Sequence, residues 1–251
     1  SYLNIHMTMK INKTHSLIFL LGILILLTSC SDSLSDTTEG RLRYWISTLS
    51  SDEFEGRAPG TEGGQLTKNF ISKTFQDFNL DPVNGSYFLD VPTSEITLKD
   101  SSYLTLSFRG NDRKMITGDE VVFWTKQARE YRKIRDSEVV FVGYGIVAPE
   151  YNWNDYEGID VKGKTVVILV NDPGFATGKL RLFNGRSMTY YGRWTYKFEE
   201  AARQGAAAAI VIHEEEPAAY PWSVVENSWQ GPQLDLQRDD LGADRVILEG
   251  W

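Results

Sequence analysis

The chain has 251 residues, of which 41% are hydrophobic and 12% aromatic, so it is long enough to bury one large core or two smaller ones. Its formal net charge of −8 and the lack of clustered Lys and Arg after the first residues argue against a nucleic-acid-binding protein. Its single cysteine excludes an intramolecular disulfide and a cysteine-based zinc site.

The first thirty residues predict the leader of an exported bacterial lipoprotein. Lys10 and Lys13 precede an apolar run over residues 17–27, which is shorter than the roughly 20 residues of a membrane-spanning helix and typical of a signal peptide. The tetrad Leu-Thr-Ser-Cys that ends at Cys30 resembles a lipobox, so we expect cleavage before Cys30 and lipidation of its thiol. The alternative is an ordinary signal peptide with a chance cysteine.

The leader and the sequence patterns after it divide the chain into four predicted segments. Residues 1–29 are the predicted signal peptide, with upstream read-through before Met7 or Met9, and residues 30–38 form a polar tether to the lipid. Residues 39–135 and 136–251 are two predicted lobes. The charge-rich stretch 126–136 places the boundary between them.

The first lobe is predicted to open with two helices. Leu42, Trp45, Ile46 and Leu49 form one apolar stripe at helical spacing, which predicts a buried face. Thr61 is suited to cap a second helix that runs to Asn79 with an aromatic inward face. Apolar and β-branched runs at 87–91, 96–98 and 103–108 then predict strands.

The second lobe has the pattern of an α/β sheet, so the predicted fold class is mixed α/β. Nearly continuous apolar runs at 139–142, 164–170 and 206–212 predict strands that are buried on both faces. Between the last two runs, Trp194, Phe198, Ala201 and Ala202 give a helix its inward face, and Gly205 suits a left-handed cap. The result is a predicted β-α-β unit.

Few residues carry recognisable chemistry. His213 is the one histidine after the leader, and we interpret it as structural because no clustered ligand accompanies it. A G-x-S-x-G nucleophile motif is absent. Gly143 and Gly145 follow a strand but lack the third glycine of a dinucleotide-binding fingerprint, so we expect a turn there.

Two stretches resemble a known family. Residues 49–61, Leu-Ser-Ser-Asp-Glu-Phe-Glu-Gly-Arg-Ala-Pro-Gly-Thr, are similar to the opening of metallopeptidase family 28, the co-catalytic zinc aminopeptidases. Residues 141–168 and 190–206 resemble the protease-associated (PA) domain that is inserted in that family. Together the similarity extends from about Leu42 to Trp251. It implies that 39–135 is the N-terminal part of a peptidase domain and that 136–251 is a PA domain with a β-sheet and flanking helices.

The resemblance implies a zinc-dependent aminopeptidase that acts on peptides, with a pair of zinc ions bound by residues that lie beyond the inserted domain. We therefore expect no catalytic residue, metal ligand or bound zinc in this chain. Four residues in the family-like stretches, Arg57, Tyr190, Tyr191 and Arg193, either line the substrate cleft or brace the structure, and for the arginines we favour bracing. The alternative function is a non-catalytic lipoprotein whose PA module binds peptides or proteins.

Overall fold

The computed structural model describes residues 37–118 and 120–251, and the predicted signal peptide and Cys30 lie outside them. The chain separates into two compact units that divide between Leu89 and Asp90. The predicted lobe boundary after residue 135 falls inside the second unit, because β4 (Phe123–Trp124) pairs with the last strand of the same sheet. Among the described residues, no helix is both long and apolar enough to cross a membrane.

The first unit contains two α-helices, α1 (Thr38–Leu49) and α2 (Glu62–Asp77), joined by a 3₁₀ segment, Asp52–Arg57. The predicted cap is confirmed, since the Thr61 hydroxyl accepts a hydrogen bond from Gly64 N at 3.1 Å. The left-handed backbone of Glu55, Gly56 and Arg57 turns the chain between the two helices.

The apolar stripe of α1 is not the buried face that its spacing predicts. Within the described residues Leu42 is 47% and Ile46 66% exposed, and α1 has no buried residue. The contacts of its aromatic side chains are two ring pairs, Tyr44 with Phe70 and Trp45 with Phe78, at 6.1 and 5.7 Å between centroids. The prediction was wrong because periodicity identifies an apolar face but not the amount of neighbouring surface that covers it.

The second unit has a mixed α/β fold, as predicted. Its helices are α3 (Pro173–Thr177), α4 (Trp194–Arg203), α5 (Glu215–Ala218) and α6 (Trp222–Ser228). Its strands, in addition to β4, are β1 (Thr93–Ile96), β2 (Leu104–Phe108), β3 (Asn111–Met115), β5 (Val139–Phe141), β6 (Val147–Ala148), β7 (Trp153–Asn154), β8 (Thr165–Leu169), β9 (Ala208–Ile212), β10 (Gln233–Leu236) and β11 (Leu248–Gly250). Short 3₁₀ turns occupy Pro149–Tyr151 and Tyr190–Gly192.

A five-stranded sheet organises this unit, in the order β4-β11-β9-β8-β5. Strands β5, β8, β9 and β11 are parallel, and only the edge strand β4 runs antiparallel. The predicted β-α-β unit is confirmed, because β8 and β9 are adjacent and α4 lies between them in sequence. Gly205 takes the expected left-handed conformation at φ 81°. By contrast, the predicted strand at 87–91 is irregular, because those residues have no partner strand.

Candidate functional site

The predicted site residues fall in different places. Cys30 lies outside the described residues. Arg57 is in the first unit, where its exposed side chain donates a hydrogen bond from Nη1 to the Leu49 carbonyl and ties the 3₁₀ segment to the end of α1. The other three, Tyr190, Tyr191 and Arg193, are in the second unit, in or beside the turn that precedes α4. The two tyrosines and Arg193 therefore belong to one short segment of the second unit, whereas Arg57 belongs to the first unit.

The two tyrosines pack on a third, Tyr196, with ring centroids 5.8 Å away for Tyr190 and 4.9 Å for Tyr191. The Tyr191 hydroxyl donates to Glu150 Oε1 at 2.6 Å, and this bond is the main reason that the pKa of Tyr191 rises to about 12. Tyr190 donates to Glu199 Oε2 at 3.0 Å. Both tyrosines therefore contact the first turns of α4, and whether they also line a substrate cleft stays a prediction.

The guanidinium of Arg193 is exposed and makes no hydrogen bond, ion pair or ring contact in the described part of the chain. Its backbone is used instead, since its carbonyl accepts a bond from Lys197 N at 3.3 Å in the first turn of α4. The structure gives no side-chain partner for bracing by Arg193, and its role stays a prediction.

An aromatic cluster surrounds the fully buried ring of Phe183. Tyr151 stacks on this ring at 4.2 Å, while Trp153 and Tyr191 approach it edge-on at 5.9 and 5.7 Å. Edge-to-face and offset contacts of this kind are favourable for aromatic pairs. The cluster fixes the loop between α3 and α4 against the β6–β7 hairpin.

Lys197 lies at the centre of the unit and has no exposed surface. Its Nζ donates to two main-chain carbonyls, Tyr144 O at 2.5 Å and Asn171 O at 2.8 Å, so α4 is tied to the loops that follow β5 and β8. Burial lowers the pKa of Lys197 to about 7, although the carboxylates of Asp155 and Asp172 raise it. The amine therefore changes its charge near neutral pH.

Two carboxyl groups near Lys197 are held by the same loops. Asp172 is fully buried and accepts bonds from Gly174 N at 3.1 Å, Thr189 N at 3.0 Å and Thr189 Oγ1 at 2.7 Å. Asp155 accepts a bond from Ile146 N at 3.0 Å. Each carboxylate therefore has partners from within the protein, three for Asp172 and one for Asp155, and these bonds link the surrounding loops.

Two glycines allow the close approach of the chain around this junction. The predicted turn at Gly145 has φ 60°, and a Cβ there would lie 3.0 Å from Ile168 Cγ2. At Gly192 a Cβ would lie 2.7 Å from Met188 Cγ and 3.0 Å from Asn171 Oδ1. Both positions require glycine because the neighbouring atoms occupy the space of a side chain.

A second buried charge lies in the sheet. Glu249 on β11 is 1% exposed, and its Oε2 accepts a hydrogen bond from Trp124 Nε1 at 3.2 Å. Burial raises the pKa of Glu249 to about 7, against the opposing effect of the Lys126 charge. Trp124 also packs on Trp229 at 4.5 Å, next to Trp251.

The described residues do not form a zinc site. In residues 37–118 and 120–251 no three side chains of His, Cys, Asp or Glu form a group that could hold a metal ion. His213 follows β9, where its Nε2 lies 3.1 Å from Tyr220 O and its ring packs on Tyr220 and Trp222. These residues do not fit the zinc pair that the family resemblance implies, so we derive no zinc-dependent step from them.

The sequence interpretation missed Lys197, although the helical spacing of its neighbours indicates that it is buried. Lys197 lies three residues after Trp194 and four before Ala201, so it belongs to the inward face that was predicted for this helix. A lysine on such a face must be buried together with partners for its amine. The partners themselves could not be predicted, because Tyr144 and Asn171 are distant in sequence and belong to loops.

The comparisons with known proteins identify no relative. No protein-family model matches the chain, and neither the curated proteins nor the solved structures contain a match.

Proposed function

We propose that this chain is the N-terminal part of an exported, lipid-anchored zinc aminopeptidase. In this proposal the first unit supplies the opening helices of the peptidase domain, and the second unit contains the PA domain, 136–251, which shapes the substrate cleft. The observation that carries the proposal is the division into two units, because each of them holds residues that resemble the family. These residues are 49–61 in the first unit and 141–168 with 190–206 in the second.

The second unit has the properties that a cleft wall needs. Its parallel strands β8 and β9 are mostly buried, and Lys197, Asp172 and the Phe183 cluster fix the loops around α4. A rigid scaffold of this kind can hold a peptide substrate in a defined orientation. The ligands of the zinc pair, and the groups that perform hydrolysis, come from outside residues 37–251 in this proposal.

A second candidate is a non-catalytic lipoprotein whose PA module binds peptides or proteins. The observation in its favour is that the second unit has its own sheet and a continuous core, from Val122 and Val142 through Ile168 to Trp251. Such a unit can act as a binding module without a peptidase domain.

The complete gene product separates the two candidates. We would follow the open reading frame past codon 251, purify its product, and measure retained zinc and hydrolysis of aminoacyl p-nitroanilides. The aminopeptidase is expected to retain a pair of zinc ions and to lose activity reversibly on chelation. The 251-residue chain, as a matched control, is expected to do neither, since its described residues offer no metal group. A stop codon after Trp251, or a whole product that neither retains zinc nor hydrolyses the substrate, would favour the binding module.

Lipid anchoring is tested independently of catalysis. Cells that express the chain are labelled with a radioactive fatty acid, and the label is expected on the chain but not on Cys30→Ala, because Cys30 is the only thiol in the sequence. Ser29→Ala, which keeps a small residue in the lipobox, is the matched control and should retain the label. Equal labelling of Cys30→Ala would contradict the anchor.

A further inference from the structure

The five-stranded sheet has an open edge at β5. Among the described strands β5 pairs only with β8. Glu138 O accepts a bond from Thr165 N at 2.9 Å, and Val142 N donates to Val167 O at 3.1 Å, so alternate residues of this segment face β8. The same alternation directs the backbone N–H and C=O groups of Val139 and Phe141 away from the sheet.

This edge is apolar as well as open. Val139 is 48% and Phe141 58% exposed, and both side chains lie on the same face of the strand. Natural proteins usually protect such an edge with charges, proline or a covering segment, and an unprotected edge accepts a further strand. The backbone groups supply affinity in that binding mode, and alternate side chains supply specificity.

The segment that leads into β5 is basic. Arg129, Arg132, Lys133 and Arg135 lie within seven consecutive residues, interrupted by a single acid, Glu130. The sequence analysis used this stretch, within 126–136, only as the boundary between two lobes. In the part of the chain that the structure describes, none of the four cations forms an ion pair, whereas Lys164 nearby pairs with Glu138 at 2.9 Å.

Arg132 has the least favourable environment of the four. Its Nε is shielded from solvent and has no hydrogen-bond partner among the described residues. Desolvation, and after it the charge of Arg129, lowers the pKa of Arg132. A guanidinium that is partly desolvated beside a like charge is stabilised by a carboxylate, which its planar donors can bind with two hydrogen bonds.

We propose that the β5 edge, with the basic segment 129–135, is a binding site for an extended acidic peptide segment of another protein. The segment adds as a strand beside Val139–Phe141, and acidic side chains at its end pair with Arg129, Arg132, Lys133 and Arg135. This inference does not rest on the proposed aminopeptidase, because it uses only the backbone pairing, exposure and charge of residues 129–142. An anionic membrane would also attract the four cations, but it would leave the outward backbone groups without partners.

The experiment uses fluorescein-labelled peptides and the whole chain with Cys30→Ala, so that no lipid is attached. The peptides alternate Val and Thr and carry a block of Glu at either end, since the added strand can run in either direction. One control peptide has Lys in place of Glu. A second is N-methylated at every Val and Thr, which removes the donors of both strand edges but keeps its charge. Fluorescence anisotropy gives the dissociation constants.

We expect one acidic peptide to bind, and Arg132→Gln with Arg135→Gln to weaken that binding about tenfold or more, with further weakening at high salt. Phe141→Ser should also weaken it. The matched control, Lys179→Gln with Arg181→Gln, removes two exposed cations elsewhere in the unit and should bind as the parent does. Tryptophan fluorescence in urea checks that every variant is folded.

Several results would overturn the proposal. Equal binding of the Lys peptide or of the N-methylated peptide would exclude an acidic strand as the ligand. Equal weakening by the control substitutions would indicate a general charge effect. A third result concerns membranes. If the chain binds no peptide but sediments with phosphatidylglycerol vesicles, and Arg132→Gln with Arg135→Gln abolishes this sedimentation, the basic segment binds a membrane surface instead.

Discussion

Replacing Lys197 with methionine is expected to remove a rise in stability that the parent protein shows between pH 7 and pH 10. The folded-state pKa of Lys197 is about 7 and its ordinary value is 10.5, so between these values the unfolded chain binds more protons than the folded chain. The free energy of unfolding therefore increases with pH in this window. Each unit of pKa difference corresponds to about 1.4 kcal/mol, so the full effect is on the order of 5 kcal/mol.

At neutral pH the two effects of the substitution oppose each other. Methionine avoids burial of a charge, but it leaves the carbonyls of Tyr144 and Asn171 without their donor, at about 1 to 3 kcal/mol for each unsatisfied group. At pH 10 the parent amine is largely neutral and still donates to both carbonyls. The methionine variant should then be less stable than the parent by about 2 to 6 kcal/mol.

Urea unfolding followed by tryptophan fluorescence measures this effect in the right part of the molecule, because six of the seven tryptophans lie after residue 90 and only Trp45 before it. The quantity of interest is the difference between the parent and the variant at pH 7, 8.5 and 10, in which the titration of other groups cancels. Lys179→Met, at an exposed position, is the matched control and should follow the parent. Parallel curves for the parent and Lys197→Met would show that the amine does not titrate near pH 7.

The regular elements could be predicted where local signals and periodicity agree. The Thr61 cap, the strand-helix-strand unit around α4 and the left-handed Gly205 all appear where the sequence places them. Each of these depends on contacts within a few residues or on a run that is apolar on every face. The failures concern contacts between distant residues. At 87–91, for example, the composition is typical of a strand, but no strand of the described residues pairs with this segment.

The junction around Lys197 could be predicted only in part. Its buried position follows from the helical spacing of Trp194, Lys197 and Ala201. Its two acceptors do not, because they depend on loop conformations such as the left-handed Asn171, at φ 67°. A candidate site that is made from main-chain carbonyls leaves almost no trace in residue type, whereas a metal or nucleophile site would have left one.

Replacing Glu249 with glutamine is expected to stabilise the protein above pH 7 and to have little effect near pH 4.5. The folded-state pKa of Glu249 is about 7, against an ordinary value of 4.5, so between these values the folded chain binds more protons than the unfolded chain. The parent therefore loses stability as pH rises through this window. Glutamine is neutral throughout and its side-chain carbonyl can still accept the bond from Trp124 Nε1.

The gain at pH 8 should be about 3 kcal/mol, set by the difference between the two pKa values. The same urea titrations measure it, at pH 4.5, 6 and 8. Glu157→Gln removes an exposed carboxylate from the same unit and serves as the matched control, with little expected change at any of these pH values.

Glu249 lowers the stability as pH rises from 4.5 to 7, and Lys197 raises it as pH rises from 7 to 10.5, so the two groups together give a stability minimum near pH 7. Glu249→Gln should abolish only the acidic side of that minimum, and a variant that is less stable than the parent at pH 8 would contradict a buried, destabilising carboxylate.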